Sequence, residues 1–452
     1  MARAEPPIDT ASRALEWVRR RDPGLGAEVF VFQGMSRSVE LREGRLETTQ
    51  EAGEEGMSLR LLRDGRMAFA FSGETSPRSW PALYEMARAQ LPMAEPDPCR
   101  VLPGPGPHRA PKGLASSLFD PALFAVPLQE RVPGLREVHD RAMSADPRVG
   151  KVLRIGYEES EGEMAVASTA GVRTSERGTS CSVGLSVLAG SGGDLQVGTA
   201  YRTARLAKEL DIGRVAGEAV SRAVPLLGSR KLPTRRRAVL FDPWVAGEVL
   251  ELLAGPMSAE AVQRGKSLLK GKLGRRVASE KVTFVDDPQL PGGAASARFD
   301  DEGVPTRYKR MVDRGILKDY FFDSYTARRD GRESNGCAGR AGFKGLPGAT
   351  FSNFYLEPGA LSRDKLLAGT RDGLLVFEVM GMHTADPISG EISVGVSGVA
   401  VRDGEVAHGV RGALLSGDLL GLLDRVDAVA DDLVFYGSLA APTFRVADVV
   451  IA

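Results

Sequence analysis

The sequence predicts an α+β protein, with an amino-terminal half of two helix–antiparallel-sheet–helix units and a β-rich, barrel-like antiparallel carboxy-terminal domain. Helical and strand-like patterns alternate in the same order twice up to residue 227, with a proline-rich stretch between the two units. After residue 232, short apolar runs and glycine turns dominate. Because 452 residues exceed one ordinary hydrophobic core, we predict domains at residues 1–110, 111–232 and 233–452.

The first unit begins with a predicted helix at Ala11–Arg20 and a strand at Ala27–Gly34. A hairpin is predicted around Gly44. A second hairpin turns at Asp64-Gly65, because Asp-Gly between alternating runs is a tight-turn signal. An amphipathic helix at Trp80–Leu91 ends the unit.

The connector Pro92–Pro111 contains seven prolines, which exclude a helix or a central strand. The second unit then repeats the order of the first: a helix at 128–144, strands at 152–157, 164–168, 182–188 and 196–201, and a helix at 214–227. The two units share no convincing residue identity, so a duplication and two unrelated pieces remain equally open.

The third region begins after the basic stretch Arg230–Arg237. Without interleaved aromatic residues, this stretch is better interpreted as a solvated boundary than as a nucleic-acid patch. We predict a strand at 238–241, a helix pair within 242–270, and strands at 376–380, 391–401 and 446–451. That density of strands indicates a closed or strongly curved sheet.

Composition excludes several classes of protein. Lys+Arg and Asp+Glu number 59 each, so no global field attracts nucleic acid or an anionic membrane. Three widely spaced cysteines support neither a zinc ribbon nor a disulfide framework. No window reaches the roughly 18 apolar residues that a membrane helix needs, so we expect a soluble, cytoplasmic protein.

The run Phe299–Arg340 carries glycines among acids and aromatic residues, at positions 303, 315, 331, 336 and 339. Four further segments follow in order: Ser352–Gly359, Gly373–Gly381, Ser389–Ser393 and Arg402–Val406. Together these segments resemble the TldD/PmbA family, whose members are associated with metal-dependent peptide hydrolysis. The carboxy-terminal half carries most of the resemblance.

The TldD/PmbA family that the chain resembles has two branches. In the TldD-like branch, a helix with His-Glu-x-x-x-His and a later cysteine hold zinc, and the carboxylate acts as general base. In the PmbA/TldE-like branch that motif is degenerate. With Gly247 as the register, the three positions here are Glu251, Leu252 and Pro256, and residues 435–452 contain no cysteine. The resemblance therefore places the chain in the PmbA/TldE-like branch, with no catalytic residue and no metal of its own.

Candidate substrate-binding residues come from the family-like segments. They are Arg340, Asn353, Tyr355, Glu378 and His383. The competing interpretation for Arg340, Asn353 and Tyr355 is structural: these side chains hold loops in place. Cys337 is a possible nucleophile because Arg340 is close in sequence, but a packed free thiol is favoured. His108, in the proline connector, and His139 are interpreted as structural or incidental.

The predicted function is that of a non-catalytic PmbA/TldE-like subunit of a TldD-type metallopeptidase, involved in proteolysis of unfolded or small peptides. A TldD-like partner is expected to supply the zinc. One alternative is an autonomous homodimeric protein that binds peptides or acts as a scaffold. A weaker alternative is a hydrolase rebuilt around His383, Glu378 and Cys337. Neither nucleic acid nor a membrane is an expected partner.

Overall fold

A computed structural model describes residues 5–107 and 110–452. His108, for which the sequence suggests an incidental role, lies outside the described residues. The amino-terminal half contains the following elements: α1 (Pro7–Arg21), β1 (Gly26–Arg42), β2 (Arg45–Arg63), β3 (Arg66–Ser72), α2 (Trp80–Gln90), α3 (Val132–Ala145), β4 (Val149–Ser168), β5 (Arg173–Ser191), β6 (Asp194–Ala204) and α4 (Arg214–Ala223).

These six strands form one antiparallel sheet in the order β3-β2-β1-β4-β5-β6. The two predicted units meet where β1 pairs with β4, from Glu28 opposite Ser168 to Leu41 opposite Ile155. Both units therefore contribute to a single sheet. The boundaries at residues 110 and 232 stay predictions.

Both predicted hairpins form: β1 and β2 turn at Gly44, and β2 and β3 turn at Asp64-Gly65. The strand at 27–34 and the arm near residue 40 are both parts of β1, and β2 runs without interruption from Arg45 to Arg63. The strands are longer than predicted and run through Gly34, Gly53 and Gly56. Their backbone remains extended because β1 and β2 pair with each other at all three positions.

All four helices lie on one face of this sheet. On β1, Val29 and Val31 pack with α1 and α2, while Val39 and Leu41 pack with α3 and α4. The opposite face is apolar only near Phe30, where the carboxy-terminal half covers it with Phe343. Farther along the strands it carries small and polar side chains.

The carboxy-terminal half contains β7 (Arg235–Phe241), α5 (Pro243–Ala254), α6 (Ala259–Gln263), β8 (Phe284–Asp286), β9 (Lys309–Asp313), β10 (Ile316–Leu317), α7 (Ser324–Arg329), β11 (Ala338–Gly339), β12 (Gly348–Ala349), β13 (Phe354–Leu356), α8 (Arg363–Ala368), β14 (Asp372–Met380), β15 (Glu391–Arg402), β16 (Glu405–Asp418), α9 (Leu419–Asp424), β17 (Val426–Val429), β18 (Val434–Tyr436), β19 (Leu439–Ala441) and β20 (Phe444–Ile451). Short 3₁₀ helices lie at Leu91–Met93, Ala115–Ser117, Leu123–Ala125, Leu128–Arg131, Ala207–Glu209, Val224–Leu226, Gly342–Lys344 and Met382–Thr384.

Five strands close into a barrel in the order β16-β15-β14-β7-β20. Closure occurs where Leu415 of β16 pairs with Ile451 of β20. β14 runs parallel to β7, whereas the other neighbours are antiparallel. The basic stretch enters this barrel: Arg235 pairs with Asp372 at 2.8 Å and Arg236 with Asp448 at 2.8 Å. The predicted α+β class with a barrel-like second half is confirmed.

A second, smaller sheet of β8, β9, β10, β13, β18 and β19 adjoins the barrel. The run Phe299–Arg340 contributes β9 and the edge strand β10 to it. Gly303, Gly315, Gly331 and Gly336 adopt φ between 66° and 80°, which ordinary side chains disfavour. Tyr320–Phe322 has the local pattern of a strand, but among the described residues it makes only one isolated bridge, from Phe321 to Ser258. The aromatic side chains there are buried in the core, and this burial produced the strand-like pattern.

The predicted helix pair within 242–270 is present only in part. α5 spans twelve residues and α6 five. Among the described residues, no helix combines the length and apolarity that crossing a bilayer requires.

Candidate functional site

The open face of the amino-terminal sheet and the carboxy-terminal half enclose a groove. Two adjoining cavities of about 510 and 580 Å³ form it, and they share Ser36 and Ala52. The first lies under the loop Ala295–Ala297, and the second extends across β1, β2, β4, β5 and β6 to Tyr201. We call the two cavities together the sheet groove.

The floor of the sheet groove is made of small and polar side chains. Strand alternation directs Val39, Tyr157 and Val183 into the helix-covered core. The intervening residues face the groove, and many of them are small: Ser36, Ser38, Gly156, Ser160, Ser182, Gly184 and Ser186. Charged side chains of Glu40, Arg154 and Glu158 lie among them. The small residues allow close approach of another polypeptide backbone.

Arg205, at the end of β6, holds the loop above the first cavity. Its guanidinium donates to the carbonyl oxygens of Gly293 at 3.2 Å, Ala294 at 2.5 Å and Ser296 at 3.3 Å. Arg298 adds a second link, since its Nε donates to Glu176 of β5 at 2.9 Å. These contacts attach one wall of the groove to its floor.

An aromatic cluster of Tyr201, Trp244 and Tyr436 closes the far end of the groove. Their ring centroids lie 4.9–5.5 Å apart in edge-to-face arrangements. Arg222 lies 4.6 Å from the Trp244 ring centre and donates to the Tyr436 hydroxyl at 2.7 Å. The cluster joins β6 to the amino-terminal end of α5.

α5 is the helix that the resemblance aligns with the family's zinc motif. Asp242 caps it by accepting from the Trp244 backbone N–H at 3.2 Å. Burial raises the pKa of Glu248 above its ordinary value, and the nearby carboxylates of Glu251 and Glu378 raise it further. Glu251 of α5 and Glu378 of β14 therefore both lie near Glu248.

The three motif positions do not form a zinc donor set. Glu251 is exposed. Leu252 lines a small apolar cavity with Val249 and Val379, and Pro256 is buried with its carbonyl accepting from Ser267 at 2.7 Å. Across residues 5–107 and 110–452, no group of three or more His, Cys, Asp or Glu side chains is placed to hold a metal ion. The residues present do not fit a zinc ion at this helix.

Arg340 lies in a buried ion-pair network between the two halves, and its side chain is 1% exposed. Its guanidinium pairs with Glu28 of β1, and its Nε donates to the Asp301 carbonyl at 3.0 Å. Arg60 of β2 pairs with the same Glu28 at 2.5 Å and with Glu302 at 3.0 Å. Burial opposes the charge on Glu28, but Arg60 and Arg340 outweigh it and lower its pKa.

Asn353 directly precedes β13, and Tyr355 lies in this inner strand of the smaller sheet. Asn353 is fully buried, donates to the Asp287 carbonyl at 2.7 Å and accepts from the Ala295 backbone N–H at 2.9 Å. It thereby orients the loop that covers the first cavity. Tyr355 is half-buried against Phe435, with ring centroids 5.7 Å apart. A direct role for Arg340, Asn353 and Tyr355 in substrate binding stays a prediction.

Glu378 and His383 are both exposed beyond the middle of β14, and His383 belongs to the 3₁₀ helix Met382–Thr384. Their assignment to substrate binding also stays a prediction. Cys337 is buried beside Asp286, with 3.9 Å between its Sγ and Asp286 Oδ2. Burial raises the pKa of the Cys337 thiol to about 12, even though Lys309 lowers it. A thiol with that pKa is a poor nucleophile at neutral pH.

Sequence reasoning missed the sheet groove and the aromatic cluster. The alternation of small polar and apolar residues at Ser180–Ser186 was an available signal, since it indicates a sheet with one uncovered face. No pattern could have connected Tyr201, Trp244 and Tyr436, because they come from three distant segments.

Comparison with known proteins places three family domains along the chain. Residues 27–91 match PmbA/TldA metallopeptidase domain 1. Residues 121–227 match the central domain of that description, and residues 234–452 match its C-terminal domain.

Individual relatives span nearly the whole chain. A metalloprotease of Methanothermobacter thermautotrophicus is 30% identical over 90% of this chain and 88% of its own length. Metalloprotease PmbA of Escherichia coli O157:H7 is 27% identical over 97% and 95%, respectively. The crystal structure of TldE from Thermococcus kodakarensis superposes with a TM-score of 0.88, covering 98% of this chain and 100% of that one, at 22% identity. This last likeness concerns the fold.

Proposed function

Because the chain belongs to the PmbA/TldD metallopeptidase family, we propose that it is a non-catalytic, PmbA/TldE-like cytoplasmic subunit of a TldD-type metallopeptidase. In this role it completes a peptide-holding chamber, and a TldD-like partner supplies the zinc and the hydrolysis. Unfolded or small peptides are the substrates.

The observation that carries the proposal is the composition of α5. The family's zinc chemistry needs two imidazoles and a carboxylate on this helix, by the resemblance described above. Here an exposed glutamate, a leucine packed in an apolar cavity and a buried proline hold those positions. A metal site at this helix would require several simultaneous substitutions. The helix itself keeps its place in the fold.

The sheet groove supports the peptide-holding part of the proposal. Its combined length crosses five strands, its floor alternates serine and glycine with charged side chains of both signs, and its walls come from both halves of the chain. A polypeptide backbone can be accommodated there without a demand for particular side chains.

The test is reconstitution with a TldD-type protein that carries His-Glu-x-x-x-His. The mixture is expected to form a heteromer in size-exclusion chromatography and to cleave an unfolded peptide, while this chain alone cleaves none. Metal analysis of this chain after incubation with zinc and desalting is expected to find well under one equivalent. A Glu251→Ala variant serves as control and should leave the zinc content and the reconstituted activity unchanged.

Three results would contradict the proposal. Stoichiometric zinc bound by this chain alone would indicate a catalytic site. Peptide hydrolysis by this chain alone, abolished in Cys337→Ser or His383→Ala, would favour a rebuilt hydrolase. A stable homodimer that binds peptides but never associates with the zinc subunit would favour an autonomous scaffold.

A further inference from the structure

The outer segment of β2 presents an unpaired strand edge. β3 pairs only with Met57–Arg63, so among the described residues no strand covers the outer edge of Thr48–Glu55. All eight residues of this segment are exposed. We call Thr48–Glu55 the acidic edge.

Unpaired edges of this length are hazardous because any extended chain can add to them. The usual protection is a proline, a bulge, a covering loop or charged side chains, most often lysine. The acidic edge has neither proline nor lysine, and its register with β1 is regular throughout. Its charged side chains are all glutamates, which disfavour acidic chains on this edge but not basic ones.

The charge of the acidic edge determines which chain fits. Its sequence, TTQEAGEE, carries three glutamates and no basic residue. Glu51 and Glu55 lie four residues apart on one face, and Glu54 on the other face lines the sheet groove. Lys344 lies 3.9 Å from Glu54, and both side chains are about 60% exposed. Neither Glu51 nor Glu55 has an ion-pair partner in the part of the chain that the structure describes.

A second copy of this chain is a poor occupant. Pairing two acidic edges would place six carboxylates in one two-stranded ribbon with no basic residue of either edge to balance them. Like charges across neighbouring strands destabilise the pair, whereas opposite charges contribute about 0.2–1 kcal/mol each.

We propose that the acidic edge adds an antiparallel strand from a different protein, a partner subunit whose edge strand carries lysine or arginine opposite Glu51, Glu54 and Glu55. The interface extends the six-stranded sheet and adjoins the sheet groove through Glu54. It rests on the proposed function only in expecting a heterologous partner, and it assigns the surface on which that partner docks.

The probe is a capped eight-residue peptide, Lys-Lys-Val-Thr-Lys-Thr-Val-Thr, which in antiparallel register places lysines opposite Glu55, Glu54 and Glu51. Its affinity for the full chain is measured by fluorescence anisotropy at low salt. We expect it to bind about tenfold more tightly than the same peptide with glutamate in place of lysine, the factor expected for three cross-strand ion pairs. Amide hydrogen exchange at residues 48–55 is expected to slow when it binds.

Two controls separate strand pairing from charge alone. N-methylation of alternate backbone nitrogens on the pairing side of the peptide should abolish binding, because it removes the hydrogen bonds. The double variant Glu51→Lys/Glu55→Lys should lose about tenfold in affinity for the lysine peptide, for the same electrostatic reason. A matched double variant on exposed barrel strands, Glu391→Lys/Glu405→Lys, changes the net charge equally and should bind as the unmodified chain does.

Equal affinity for the two peptides, undiminished binding of the methylated peptide, or equal losses in both double variants would overturn the proposal. So would protection of residues 48–55 in the concentrated chain alone, which would indicate a second copy on this edge. The assay contains neither the zinc subunit nor hydrolysis. Its failure therefore leaves the proposed subunit role standing, and failure of reconstitution leaves this surface to be judged by its own test.

Discussion

At the residue scale, single glycines permit the close contacts of the barrel. Gly398 lies at a register shift in β15, and a Cβ there would overlap the backbone carbonyl oxygen of Leu375 on β14. Because backbone cannot move aside as a flexible side chain can, the strands would have to separate. The glycine is therefore a condition for barrel closure at this point.

Gly398→Ala is expected to lower the free energy of unfolding by about 1–3 kcal/mol, the usual cost of overpacking a close-packed interior. Urea denaturation monitored by tryptophan fluorescence measures it. Gly247→Ala in α5 is the matched control, because a Cβ there has no neighbouring atom within 4 Å. It should stabilise the chain by about 1 kcal/mol through helix propensity. Equal effects of the two substitutions would refute the steric argument.

At the element scale, a buried cap orients α7. Asp323 is 4% exposed and accepts from the Thr326 backbone N–H at 2.8 Å in a reciprocal capping box. Burial raises the pKa of Asp323, and Glu302 raises it further, although the hydrogen bonds from Thr326 act in the opposite direction. The folded chain therefore retains a proton on Asp323 that the unfolded chain releases near pH 4.

This proton predicts how stability depends on pH. Since the folded state binds more protons than the unfolded state between the two pKa values, the Asp323 contribution is fully present below about pH 4 and is lost as pH rises. Asp323→Asn keeps the cap and removes the ionisation. The variant should therefore gain stability relative to the unmodified chain between pH 4.5 and pH 8, measured by urea denaturation.

Asp323→Ala separates the charge from the cap. It should be less stable than Asp323→Asn at both pH values, by about 1 kcal/mol for the lost cap. If the difference between Asp323→Asn and the unmodified chain does not change with pH, the cap carries no extra proton.

Element prediction succeeded where the pattern was local and failed where pairing was distant. The turn at Asp64-Gly65 was expected, and both residues adopt positive φ. The continuity of β1 through Gly34 was missed, because its regularity comes from pairing with β4 more than a hundred residues away. Tyr320 and Phe322 are buried in the core, and the resulting run of aromatic residues resembles the sequence pattern of a strand.

At the scale of the whole molecule, the two halves are joined by buried charges. Glu28 of the first strand, together with Arg60, meets Arg340 and Glu302 of the family-like run. Buried pairs add little net stability by themselves, but removal of one partner leaves an uncompensated charge. The run therefore acts as a junction between the halves, which accounts for its acids as well as its glycines.

Arg340→Ala is expected to cost about 3–5 kcal/mol, the usual penalty for breaking a buried pair. Proteolysis should then separate the amino-terminal sheet from the barrel before either half is degraded. Arg411→Ala, at an exposed position without an ion pair among the described residues, is the control and should leave stability unchanged. Loss of less than 1 kcal/mol in Arg340→Ala would show that the junction does not depend on this network.

The sequence by itself determined the family resemblance, the α+β class and the absence of the pattern His-Glu-x-x-x-His at residues 251–256, because these depend on residue identity and local pattern. Only the tertiary structure decided which surfaces face each other. It joined the two amino-terminal units into one sheet, brought Glu28 to Arg340 across 312 positions of sequence, and left the acidic edge of β2 open. Such contacts depend on long-range closure of the chain, for which neither periodicity nor composition carries a signal.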